Sequence, residues 1–131
     1  GFDRVVGYLA DPLAVMAEHP DRTARASRLT VPEFERRRAE IDGLQLIDIR
    51  NPGEIAIGSI AGSVELPVGQ LPGRLDELDP DAPTVVYCAG GYRSSVAASV
   101  LRRAGFTDVS DLVGGYGAWL EFAGPSLPAP V

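Results

Sequence analysis

Apolar positions along the chain fall into two rhythms, and the change between them places most of the elements. Thr84–Tyr87, T-V-V-Y, is an unbroken run of β-branched and aromatic side chains, the mark of a strand covered on both faces. Cys88–Arg93 follows as a turn around Gly90 and Gly91. From Ser94 the rhythm becomes helical, with Val96, Ala97, Val100 and Leu101 on one face and Gly105 as the stop. Upstream, Leu44–Ile49 predicts a second strand, and Asn51-Pro52 opens a short helix through Glu54. Thr30, with Glu33 three residues on and Pro32 in the first turn, predicts a capped helix running to about Glu40, with Phe34 inward and Arg36–Arg38 on the solvated side. The glycines of Gly58–Leu66 turn the chain into a short edge strand, and Leu71–Leu78 is expected to be an amphipathic helix carrying Arg74, Asp76 and Glu77. Val109–Val113 is the last strand; Gly114-Gly115 leads into a closing helix over Tyr116–Phe122. Strands alternating with helical segments predict an α/β domain whose mostly parallel sheet is covered on both faces.

Composition narrows this picture only a little. At 131 residues the chain is long enough for one domain with a real core, and its apolar content is ordinary. A formal charge of −6 gives no electrostatic footprint for nucleic acid. No apolar run approaches the length of a membrane span, so no membrane partner is expected. The one histidine, His19, sits in a polar stretch without cysteine neighbours, so no metal site is expected. A single cysteine excludes an internal disulfide, and a reactive free thiol suits a reducing, cytoplasmic setting.

That cysteine is where chemistry enters. Cys88 stands between a strand end and a helix start, the edge at which open α/β sheets bind ligands. Adjacent glycines let several backbone N–H groups of the loop turn inward as an anion-binding nest. The following helix adds unsatisfied N–H groups at its start, and Arg93 adds a full positive charge. All three favour the nucleophilic thiolate. A free thiol of ordinary pKa, ~8.5, is only about 3% ionised at pH 7, so such help matters. The plain alternative is one more small buried hydrophobe; the Gly-Gly loop, the arginine and the helix favour a working nucleophile.

C-A-G-G-Y-R-S over Cys88–Ser94, with D-I-R at Asp48–Arg50 and L-V-G-G-Y-G-A-W ending at Trp119, resembles the rhodanese (sulfurtransferase) domain family. The likeness covers about Ser27 to Pro125. It implies a three-layer α/β/α fold with a mostly parallel five-stranded sheet, and a cysteine that carries sulfur as a persulfide without a cofactor. Four residues separate Cys88 from Arg93, the spacing that the family uses for sulfur; the related phosphatases and arsenate reductases have one residue more. Ala89, Gly90, Gly91, Tyr92, Arg93 and Ser94 are then the expected binding loop, with Arg93 orienting an anionic donor and Tyr92 either shaping access or packing. Asp48 and Arg50 are expected beside the loop, holding neighbouring backbone and the Arg93 region in register. Arg50 and Glu54 match the family's R-x-x-x-E pattern. Ser59 and Ser63 stand where the family usually has histidine and alanine, and Trp119 stands where it buries a tryptophan.

The expected activity moves sulfur from thiosulfate or a persulfide to a thiophilic acceptor. The alternatives are a persulfide-carrying or docking module that does not turn over, and cysteine-based phosphatase or arsenate reductase chemistry. The domain is expected to occupy residues 27–125, before a frayed tail at 126–131. G-F-D-R-V-V-G-Y-L at Gly1–Leu9 repeats the pattern of Gly105–Leu112, so residues 1–26 are expected to be the tail of a linked upstream domain plus a linker. The same stretch resembles the junction in fusions of a metallo-β-lactamase-fold persulfide dioxygenase with rhodanese domains.

Overall fold

An apolar strand needs cover on both sides, and the chain supplies it by returning every strand in the same direction with a helix or turn in between. The computed structural model describes residues 3–124; the expected tail at 126–131 lies outside them. The elements run α1 (Pro12–Glu18), β1 (Ser27–Leu29), α2 (Val31–Glu40), β2 (Gln45–Asp48), α3 (Pro52–Ile55), β3 (Val64–Glu65), β4 (Thr84–Tyr87), α4 (Tyr92–Arg103), β5 (Val109–Leu112) and α5 (Gly115–Ala123). The sheet order is β1-β5-β4-β2-β3, and every pairing is parallel.

All four residues of β4 are buried, and their alternation divides the core. Val86 and the following Cys88 join Ile47, Leu66, Leu71, Ala97 and Leu101 in one apolar layer. Val85 and Tyr87 join Val31, Phe34, Leu46, Leu112 and Trp119 in the other. Parallel pairing also brings the C-terminal ends of β2, β4 and β5 to one edge, where the segments after each strand meet.

Several expectations shift. The apolar rhythm predicts no strand over Ser27–Leu29, yet β1 pairs there with β5, and polar side chains add to the ladder, Arg28 to Asp111 at 2.9 Å and Ser27 to Ser110 at 2.7 Å. The helix expected over Leu71–Leu78 is instead two 3-10 turns, Leu71–Gly73 and Leu75–Glu77, because Pro72-Gly73 is a poor interior for an α-helix. Helix α4 begins at Tyr92, two residues before the apolar rhythm does, since Gly91 takes a left-handed φ of +100° and turns the chain straight into the helix. Its buried face is Ser94, Ala97, Ala98 and Leu101, which leaves Val96 exposed. The capping box of α2 forms as expected, with the Thr30 N–H donating to Glu33 at 2.8 Å.

Candidate active site

Alternation along β4 points Cys88 toward α4, and its side chain is 1% exposed. Burial among apolar groups alone would make it an inert core thiol. The polar neighbours argue otherwise. The Gly91 N–H donates to Sγ at 3.1 Å, and the buried Ser94 hydroxyl lies 3.6 Å from the same sulfur. Desolvation pushes the thiol up, but the Ser94 hydroxyl and the amides of Ser94, Gly91 and Gly90 outweigh it and hold the pKa below its ordinary value. The Gly91 amide therefore faces the sulfur. Ala89 and Gly90 are exposed and form the open side of the loop; Tyr92 is 83% exposed, so it stands at the rim and does not pack.

A second wall holds this loop from behind. The Tyr116 N–H donates to the Cys88 carbonyl at 2.8 Å, and the Gly117 N–H to the Ala89 carbonyl at 3.1 Å. Gly115 makes the approach possible: a β-carbon there would lie 2.2 Å from the Cys88 carbonyl oxygen, and its φ of +57° is left-handed. The start of α5 thus fixes the loop backbone to backbone. The sequence names Gly114-Gly115 only as a helix start; its contact with Cys88 joins strand ends that the chain order keeps apart.

Asp48 and Arg50 form a buried pair. Arg50 donates to Asp48 Oδ2 at 2.6 Å and to the Gly58 carbonyl at 2.7 Å, while the Tyr87 hydroxyl donates to Asp48 at 2.7 Å. The Tyr87 hydroxyl in turn accepts the Ile60 N–H at 3.0 Å, and burial pushes its pKa up. The Arg50 guanidinium lies 4.0 Å from the centre of the Tyr116 ring, which ties the pair to the α5 wall. Ser63, in place of the family's alanine, sits 3.1 Å from the Tyr87 hydroxyl. Arg50 also reaches the Arg93 region through Glu54, to whose carbonyl its Nη1 donates at 3.5 Å. Arg93 belongs to Glu54: its two terminal nitrogens donate to the two carboxylate oxygens at 2.7 and 2.8 Å. Glu54 also caps α3 by accepting the Asn51 N–H at 3.1 Å. With the Arg93 hydrogen bonds as the main cause, its pKa falls to about 2.

The arrangement can stabilise an anionic sulfur with fixed N–H donors, before any charge arrives. Among the described residues no helix is long and apolar enough to cross a membrane, and no group of three His, Cys, Asp or Glu side chains is placed to hold a metal ion. A family model described as Rhodanese-like domain matches residues 30–122. A sulfurtransferase from Allochromatium vinosum is 38% identical over 92 residues, covering 70% of this chain and 86% of its own length. Thiosulfate sulfurtransferase GlpE from Pseudomonas aeruginosa is 39% identical over 88 residues, 67% of this chain and 79% of its own. A rhodanese-related protein from Thermoplasma volcanium is structurally similar at TM-score 0.68 and 28% identity, over 76% of this chain and 95% of that one. A NAD-dependent persulfide reductase from A. fulgidus contains a similar unit, at TM-score 0.60 and 28% identity, covering 82% of this chain and 18% of that one.

Proposed function

The chain belongs to the rhodanese-like domain family, and on that premise we propose that it is a sulfurtransferase working through a Cys88 persulfide. Relatives named sulfurtransferase and thiosulfate sulfurtransferase support the general activity. In the first step the Cys88 thiolate attacks the outer sulfur of thiosulfate or an organic persulfide. The donor's S–S bond breaks, and sulfite or a thiolate leaves with the electron pair. In the second step a thiol, sulfite or cyanide attacks the outer sulfur of the Cys88 persulfide, and the thiolate is regenerated. The Ala89–Ser94 loop receives the added sulfur, and its N–H groups carry the negative charge.

The observation that carries this reading is the inward Gly91 amide, 3.1 Å from Sγ, on a thiol whose polar neighbours hold its pKa below the ordinary value despite burial. Intact mass of the protein before and after thiosulfate or glutathione persulfide tests it. The wild type gains the mass of one sulfur and Cys88→Ser gains none; a wild type that never gains it would end the proposal. Closure of Arg93 on Glu54 favours one further reading, a domain that accepts and carries sulfur for a linked partner without fast turnover alone. Sulfur loading with no transfer to cyanide is its signature. Phosphatase and arsenate reductase chemistry is disfavoured by the same closure, because an oxyanion needs the guanidinium fork open. Val5, Val6 and Tyr8 stand exposed, in keeping with residues 1–26 serving as tail and linker of a linked domain such as a persulfide dioxygenase.

A further inference from the structure

The cation nearest the candidate nucleophile is already occupied. Arg93 follows the loop directly, and a guanidinium there is the obvious receptor for the sulfonate end of thiosulfate. Both its terminal nitrogens donate to Glu54, at 2.7 and 2.8 Å, which closes that edge of the fork. Glu54 is not free to swing aside, because the oxygen that takes Arg93 Nη1 also takes the Asn51 N–H at the start of α3. Side chains of the pair are 32% and 34% exposed, so an arriving donor meets this carboxylate at the rim.

Resting on the sulfur-transfer reading, we propose that Glu54 selects the donor: by closing the Arg93 fork, it disfavours thiosulfate and favours organic persulfides. Thiosulfate carries its sulfonate next to the bond that must break, so it has the most to gain from an open guanidinium fork. Opening the ion pair to admit the sulfonate would strip Glu54 of its partner as well. An organic persulfide presents carbon where thiosulfate presents sulfonate, and it needs no guanidinium there. Its step balances without one: Cys88–S⁻ attacks the outer sulfur of R–S–SH, the new S–S bond forms as the old one breaks, and R–S⁻ departs with the electron pair. Glu54 acts through Arg93, not by touching the reacting sulfur.

The test compares kcat/KM for thiosulfate and for glutathione persulfide, with cyanide as acceptor, in wild type, Glu54→Gln, Glu54→Asp and the double variant Glu54→Gln/Arg93→Ala. Glu54→Gln should raise the thiosulfate-to-persulfide ratio about tenfold, mostly through a lower KM for thiosulfate. Glu54→Asp keeps the charge and should hold the ratio near that of wild type. Removing Arg93 as well should cancel the gain. A ratio that stays level or falls in Glu54→Gln overturns the proposal, as does a gain that survives without Arg93. Intact mass separates the two levels of failure. A wild type that takes sulfur from neither donor refutes sulfur transfer itself and the selection with it; one that takes sulfur from both with an unmoved ratio refutes selection alone.

Discussion

Two arginine–carboxylate pairs, Asp48 with Arg50 and Glu54 with Arg93, are chemically alike and physically opposite. Asp48 and Arg50 are 0% and 4% exposed; Glu54 and Arg93 are about one-third exposed. The buried pair also satisfies the Gly58 carbonyl and the Tyr87 hydroxyl and lies against Tyr116, whose N–H holds the Cys88 carbonyl. Its charges have no water to fall back on, so neither half can be changed alone. Water screens the rim pair, and its loss leaves both ends solvated. One pair therefore sets the shape of the site, and the other is free to set its charge.

The largest way to break this contrast is Arg50→Met. It leaves Asp48 buried without a counter-charge and the Gly58 carbonyl without its donor, and should cost about 3–5 kcal/mol in urea unfolding. Arg93→Ala should cost less than about 1 kcal/mol. Yet it removes the cation that faces the Cys88 thiolate, so sulfur loading at pH 7 should slow about tenfold by intact mass. Equal stability losses for the two variants would mean that burial does not separate the pairs.

How much of this was legible depends on which signal each feature leaves in the chain. Strand β4, the Gly-Gly turn and Cys88 were legible because apolar rhythm, glycine pair and nucleophile are adjacent in sequence. Strand β1 left almost no signal: Leu29 is its one apolar residue, and its hold on β5 is polar, Arg28 to Asp111. The early start of α4 was hidden because Tyr92 and Arg93 face the rim and do not follow the buried rhythm. Leu71, Leu75 and Leu78 fit a helical period, but Pro72-Gly73 decided for 3-10 turns. Pairing was the hardest to foresee. Residue types announced Asp48, Arg50, Glu54 and Arg93, yet Glu54 and Arg93 lie 39 residues apart, and only the meeting of α3 with α4 shows which acid takes which base.

The smallest predicted effect sharpens the contrast through pH. The Arg93 hydrogen bonds lower the Glu54 pKa to about 2, against an ordinary carboxylate value of ~4.3 in the unfolded chain. A depressed folded pKa means that the unfolded state binds the proton more readily. The pair's contribution is thus fully present above the unfolded value and is lost as the pH falls from there through about 2. Screening at the rim limits it to about 1 kcal/mol or less. Other carboxylates titrate over the same range, so the useful quantity is the difference between wild type and Glu54→Gln. Near pH 6 the wild type should be the more stable by that small margin. Below pH 2, where Glu54 is mostly protonated and resembles glutamine, the two urea midpoints should converge. A difference that stays constant across the range would mean that Glu54 stabilises α3 as a cap, independent of its charge on Arg93.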